Sequence, residues 1–554
     1  MTDTTAAPTH DDAGTLEHLD PHTLVVDTNI RDEAQLDADF VASIKEHGVL
    51  IPIAAVHSDD GQILVRMGQR RTLAAREAGL TRVPVYVRPL TGGDDTAQLV
   101  ARISEQIVEN DQRQHITDAQ RAHGIQQLLD AGISVTKIAK KLAVKKDTVT
   151  AAQMVGTSKA ATTALESGQL SLTEAAALTE FDDLPDALER LTNAAGTPRF
   201  DHVVAQLRQQ QGSRRAQQEA EEHWRDKGFT VLEELPRAWD LECVDLVYLR
   251  TADGARAGAD AVTDPRHWAV LVDEDEAWVD TETGRAVDDS TIDWNTENDP
   301  EATPADGMRH VNTVTDGIAY IPTYYCLDYR AAGLNLDPWF ERHARVASDT
   351  AHPTTNGDSA ADEGDDPTDA RAAAQAEQAE AQRRERRKVI ALNRLGDAAM
   401  AVRRDFLTKL LARKTPPKGA AIFVADCLIR EPALINDYHG AAITAELLGV
   451  TEGDRLHTLT TDLPRTGDGR AQVLTLAVVL GALEARTPKD AWRSAGSAGW
   501  RYTVSTREYL AFLVANGYQL ADVEHVITGQ MSADDLYDAN VSESRDADDS
   551  DDQA

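Results

Sequence analysis

Cysteine is almost absent from this chain: Cys243, Cys326 and Cys427 are the only three in 554 residues. They lie far apart, with neither a metal-ligand spacing nor the framework of a disulfide scaffold, and the expected setting is a reducing cytoplasm. Aromatic residues are scarce at 5%. No apolar run approaches the ~18–20 residues that span a bilayer. The segment Met1 to Gly14 is polar and acidic with no apolar stretch, so export is not expected. Positive charge is also in deficit. Lys and Arg number 56 against 93 Asp and Glu, a formal net charge of −37. A surface this negative repels phosphate, so any nucleic-acid contact must come from a local basic patch. A salt-adapted acidic surface is the alternative explanation of the global charge.

The 42% hydrophobic content supports globular cores, and the length suggests two to four domains. The expected architecture is multidomain α+β. Residues 1–15 read as a disordered leader and 16–96 as a small α/β domain. There Asp37 is placed to cap a helix carrying Phe40, Val41 and Ile44 that Gly48 ends. Ile51–Val56, Gln62–Met67 and Val83–Val87 read as strands, with a helix over Gln69–Ala78 between the last two. Residues 97–212 read as all-helical, opened by the capping-box pattern Thr117-Asp118-Ala119-Gln120. Residues 218–345 hold six of the eight tryptophans and read as a small α+β domain of unassigned role. An acidic linker follows at 346–370. A helical C-terminal domain spans 371–540 and an acidic tail 541–554. No internal repeat is evident.

Two segments suggest an anion site. Gly68 follows a strand and precedes a helix, so the backbone can turn tightly and the first helical amides can face a ligand. Arg70 and Arg71 add fork-shaped donors suited to phosphate, with Gln69 between them and the glycine. The plainer reading is a strand–turn–helix with solvated arginines. The second segment is Glu109-Asn110-Asp111-Gln112-Arg113. Here Arg113 would meet phosphate, Asn110 a Mg²⁺-bound triphosphate, and Glu109 the metal or an attacking water. The plainer reading is an exposed Glu109–Arg113 ion pair, worth about 0.3–0.5 kcal/mol.

The stretch from Val135 to Ala152 fits a helix-turn-helix. Ile138, Leu142, Val149 and Ala152 fall at buried positions, Ala139 at the helix contact, and Ala143 where a turn glycine is usual. Asp147 is placed to cap the second helix. Thr148, Thr150 and Gln153 would face a major groove, while Thr136, Lys145 and Lys146 would meet the backbone and flanks. Residues 134–160 carry six lysines (137, 140, 141, 145, 146 and 159) against one acid, Asp147. That local charge in an acidic chain favours DNA over a plain three-helix bundle.

In this order the pieces resemble the ParB family of plasmid and chromosome partition proteins, over about Leu16 to Arg208. Ser43–Ile53 is similar to the family's first box, with Ile51 where glutamine is usual. Gly68-Gln69-Arg70-Arg71-Thr72-Leu73-Ala74 resembles the GERRxRA box, with Gln69 for Glu and Leu73 for Arg. Glu109–Arg113 matches the ENxQR box, and Gly168-Gln169-Leu170-Ser171 the helix pair after the reader. The resemblance implies CTP and Mg²⁺ as cofactors, bound by the boxes at 68–74 and 109–113. It further implies a homodimer on a palindromic DNA site, a sliding clamp closed by CTP, possible weak CTP hydrolysis with Glu109 in the catalytic place, and nucleoid or plasmid association in the cytoplasm. A ParA-type ATPase is the usual partner, although Met1–Gly14 lacks the basic residues that commonly stimulate it. The alternatives are a transcription regulator of the same fold without nucleotide switching, and a ParB-like nuclease. Sulfiredoxin chemistry is excluded, because residues 1–242 contain no cysteine.

The resemblance covers none of the C-terminal part. There, residues 383–418 hold twelve Lys or Arg and three acids. A second, sequence-independent DNA contact and a helix face neutralised by partners are both open. The apolar series Leu392, Leu395, Ala399, Val402, Phe406 and Leu410 along the same helix offers a core stripe or a dimer seam.

Overall fold

The computed structural model describes residues 14–26, 36, 38–58, 61–89, 103–104, 117–184, 186–237, 239–297, 301–351, 367–436, 438–450, 456–494 and 503–540. They divide into two compact units, Met1–Phe200 and Asp201–Ala554.

The first unit begins with β1 (Thr15–Leu19), β2 (Leu24–Val26), α1 (Ala38–His47), β3 (Ile53–His57), β4 (Ile63–Met67), α2 (Gln69–Glu77) and β5 (Val83–Arg88). The strands form one sheet in the order β1-β5-β3-β4-β2. Alternation in β5 buries Val83, Val85 and Val87 in one core with Ile53 and Ala55 of β3, Val65 of β4, and Ala74 and Ala75 of α2. The two outer strands, β1 and β2, were not foreseen, and the sheet starts at Thr15 where a leader was expected. β3 starts two residues later than predicted. Gly48 turns the chain at a φ of 71° and leaves Leu50 and Ile51 in solvent, 81% and 58% exposed. The proposed cap, Asp37, lies outside the described residues.

Six helices follow: α3 (Asp118–Asp130), α4 (Val135–Leu142), α5 (Lys146–Val155), α6 (Lys159–Glu166), α7 (Leu172–Leu178) and α8 (Ala187–Ala194). The capping box at Thr117 is made in both directions with Gln120. Ser171 and Glu174 form a second one. Two carboxylates then tie distant helices: Asp118 accepts from the amide of Leu172 at 3.2 Å, and Glu174 from that of Gly196 at 2.7 Å.

α9 (Phe200–Asp226) continues past the predicted end of the helical region. In the second unit, β6 (Trp268–Asp280) and β7 (Val314–Cys326) pair antiparallel along their whole length, Trp268 opposite Cys326 and Asp280 opposite Val314. Around them one local capping motif recurs. Five short 3₁₀ turns are each capped by a side chain that accepts the amide two residues on: Asp245, Asp264, Asp288, Asp293 and His310, at 2.9–3.1 Å. Their spacing along the chain is irregular, so no fixed period marks them.

The C-terminal helices are α10 (Pro338–Ala351), α11 (Pro367–Leu411), α12 (Ala420–Arg430), α13 (Tyr438–Leu447), the one-turn α14 (Thr458–Thr461), α15 (Asp468–Ala485), α16 (Thr506–Ala515) and α17 (Asp522–Ile527). The apolar stripe of α11 is used inside this unit. Leu392, Ala399 and Leu410 are buried, and Val402 and Phe406 pack on the same cores. It is therefore not a free dimer seam. Most cations of α11 are likewise paired within the chain: Arg384 with Asp538 (2.7 Å), Arg386 with Asp275 (3.5 Å), Lys388 with Asp534 (2.9 Å), Arg394 with Glu274, and Arg404 with Glu446 (3.3 Å). Arg403, 2% exposed, bonds to both oxygens of Glu484 at 2.6 and 2.9 Å, to Glu524 at 2.7 Å and to the carbonyl of Thr487 at 2.8 Å. The two carboxylates also accept from the hydroxyls of Tyr509 and Tyr518. Burial alone would disfavour the charged guanidinium, but the two carboxylates beside it hold its pKa well above the usual arginine value.

Candidate nucleic-acid interface and anion half-site

α4 and α5 pack through the residues the pattern selected: Ile138, Ala139, Leu142, Val149 and Ala152 are all buried. Between them Ala143 takes the left-handed conformation, φ 55° and ψ 35°, that the turn requires. Lys145, not Asp147, is the N-cap of α5, and no side chain bonds to that cap. Asp147 lies in the first turn, where its charge complements the helix dipole.

Burying one face fixes what the other presents. Thr136, Lys145, Lys146, Thr150 and Gln153 are exposed, and Thr148 is half-buried at the edge. Thr150 and Gln153 are three apart and share one side of α5. Lys137, Lys140, Lys141 and Lys159 are exposed as well. None of the six lysines enters an ion pair among the described residues. This is the reverse of α11, where similar charge is neutralised by carboxylates. A helix of exposed polar residues edged by unpaired cations is suited to lie in a groove lined by phosphates.

At the start of α2, Gly68 has a φ of 99°, a region open to glycine and strained for other residues. A Cβ there would also come within 3.1 Å of the Arg71 guanidinium. The first intrahelical bond runs from the Thr72 amide to the Gly68 carbonyl at 2.9 Å, and no acid occupies this first turn. Arg70 is exposed, its guanidinium 5.0 Å from the Phe40 ring centre. Gln69 is half-buried beside it. Arg71 is engaged differently from expectation. Its Nη1 donates to the carbonyls of Ile51 and Pro52, the latter at 2.9 Å, and so ties the exposed 50–52 loop to the helix start. Arg76, which the sequence reading passed over, does a matching job at the other end of α2. Its Nε donates to the Pro21 carbonyl at 2.9 Å and its Nη2 to that of Leu24, holding the edge strand β2. Its position in the last turn was visible in the sequence; its backbone acceptors, some 50 residues earlier, were not. Glu109, Asn110 and Arg113 lie outside the described residues, so only this half of the anion site has a geometry.

Residues 9–107 match the family model for the ParB N-terminal domain. The chain is 32% identical over 148 residues to a protein named "Probable chromosome-partitioning protein ParB" from Treponema pallidum (strain Nichols), covering 26% of this chain and 44% of that one. It is 34% identical over 142 residues to the "Probable chromosome 1-partitioning protein ParB" of Deinococcus radiodurans, covering 26% and 46%. It thus spans about half the length of the curated relatives it matches. Among solved structures, a C-terminally truncated ParB from Caulobacter crescentus complexed to the centromeric parS site aligns with 21% identity and a TM-score of 0.25, over 32% of this chain and 92% of that one. The same protein complexed with CTP-gamma-S aligns with 26% identity and a TM-score of 0.16, over 32% and 98%. Through residues 9–107 the chain is similar to the ParB N-terminal domain.

Proposed function

We propose that this chain is a sequence-specific DNA-binding protein of partition, of the ParB type, that reads a palindromic site as a homodimer and is switched by CTP with Mg²⁺. One observation carries the DNA reading: six exposed lysines, without carboxylate partners among the described residues, surround the outward face of α5 in a chain of net charge −37. The relatives named as chromosome-partitioning proteins support the partition role. The tight turn at Gly68 into the N-terminus of α2, the acid-free first turn of that helix and the exposed Arg70 support a phosphate ligand there. Asn110, Arg113 and Glu109 are the proposed complement, the first two on the triphosphate and Glu109 at the metal or water. A ParA-type ATPase is the proposed motor partner.

The test has two arms. Selection from random duplexes, followed by titration, should yield a palindromic site whose affinity falls in Thr150→Ala and Gln153→Ala. Radiolabelled CTP crosslinking should be lost in Arg70→Ala and Asn110→Ala while the site is still bound at low salt. Unchanged crosslinking in both variants refutes the nucleotide switch. A regulator without nucleotide switching is the second reading. It is favoured by the engagement of Arg71 with backbone carbonyls and by Leu73 in place of an arginine. Operator binding with no calorimetric CTP signal would decide for it.

A further inference from the structure

Pairing within the chain does not account for the end of the basic stretch 383–418. Past α11, residues 412–419 read Ala-Arg-Lys-Thr-Pro-Pro-Lys-Gly, three cations and no acid. Arg413, Lys414 and Lys418 are exposed, and none enters an ion pair among the described residues.

Helix stability explains only part of this. Arg413 and Lys414 stand just beyond the C-terminus of α11, where positive charge complements the dipole. Lys418 stands before Gly419, the N-cap of α12, at the positive end of a helix with no acid in its first turn. A cation there opposes the dipole. The loop is also held in place. Nη1 of Arg470 donates to the carbonyls of Leu411 and Arg413, the latter at 3.0 Å. Gly469 packs so closely that a Cβ on it would lie 3.2 Å from the Lys414 carbonyl oxygen. Pro417 is buried, and its carbonyl accepts from the Ala420 amide at 3.2 Å. The carbonyls of Leu411, Arg413 and Pro417 are therefore tied down within the chain, while the three cationic side chains stay in solvent. Arg465, in the turn before α15, is exposed and enters no ion pair among the described residues; Asp462 and Asp468 are the acids of that turn.

We infer that the loop 412–419 is a second contact for the phosphate backbone of double-stranded DNA, independent of base sequence and separate from α5. It rests on the proposed DNA binding only for the identity of the polyanion. In a strongly acidic chain, phosphate is repelled wherever cations are neutralised, as along α11. It is attracted where rigidly held cations are left without partners.

The experiment is fluorescence anisotropy of the full chain on a non-cognate duplex between about 50 and 200 mM salt. Each phosphate contact contributes a slope of about 0.9 in log K against log salt. The triple variant Arg413→Ala, Lys414→Ala, Lys418→Ala should lower the slope by about 2.7, and Lys145→Ala with Lys146→Ala by about 1.8. Arg413→Lys should keep the wild-type slope. A triple-variant slope within about half a unit of wild type overturns the inference. A drop in thermal stability without a change in slope does so too, because it marks a purely helix-capping role. In either case, a fall in the Lys145/Lys146 arm leaves the proposed function standing. Equal loss on adding inorganic phosphate at matched ionic strength would mark a small-anion site and also overturn it. If the wild-type chain binds no duplex at all, both readings fall.

Discussion

Replacing Arg71 and Arg70 one at a time separates a scaffold role from a ligand role. Arg71 makes two charge-assisted bonds, to the carbonyls of Ile51 and Pro52. A hydrogen bond to a charged group is worth about 1.5–3 kcal/mol when fully desolvated. Both acceptors lie in an exposed loop that water can reach, so most of that value is returned on deletion. We expect Arg71→Ala to cost roughly 1–2 kcal/mol, a factor of about 5–30 in the local opening equilibrium. Hydrogen exchange read by mass spectrometry should show that loss of protection in β3, which the loop feeds, and in β5, which pairs with it. Arg70, exposed over the Phe40 ring, should behave oppositely. Arg70→Ala should keep the protection and weaken CTP crosslinking. Gly68→Ala should reproduce the Arg71 defect, because the new Cβ would strain the backbone and push into the guanidinium. Equal protection loss in Arg70→Ala, or none in Arg71→Ala, refutes this division of labour.

Three further outcomes follow from the same geometry. Arg403→Met should destabilise the second unit by about 3–5 kcal/mol, since Glu524 loses its buried countercharge and Glu484 keeps only Arg404, at 3.5 Å. Adding Glu484→Gln and Glu524→Gln should recover much of that in urea unfolding, and a single variant costing under about 1 kcal/mol would contradict the assignment. Ala143→Gly should stabilise the helix-turn-helix by about 0.5–1 kcal/mol, because φ is 55° there and the alanine penalty exceeds the added chain entropy of glycine. Burial alone would push the Glu431 carboxyl up, but Arg486 and the amides of Val504 and Thr503 hold it below its ordinary value of 4.5. Its contribution is therefore complete above that value and lost as pH falls below it. Glu431→Gln should flatten the acid limb of the unfolding curve in this unit, and an unchanged limb would assign the acid sensitivity elsewhere.

What the sequence made legible was local, and the reason is physical. The faces of α4 and α5, the capping box at Thr117 and the turn at Gly68 are set by residues within a few positions of one another, so periodicity and cap chemistry expose them directly. The misses share the opposite property. β1 and β2 are short outer strands whose place depends on β5 and β4, more than thirty residues further on. Arg71 reads as a phosphate donor until the carbonyls of Ile51 and Pro52 take up its hydrogen-bonding capacity. The charge on α11 reads the same as the charge around α5, since both are runs of Lys and Arg. The difference between them lies in partners supplied by Asp275, Glu274, Asp534 and Asp538, residues far away in the chain. A basic run is thus evidence of phosphate binding only after the carboxylates that reach it have been counted. Of the chain's two strongest basic runs, that count among the described residues leaves intact the one beside α5, while on the longer it leaves only the tip past Leu411.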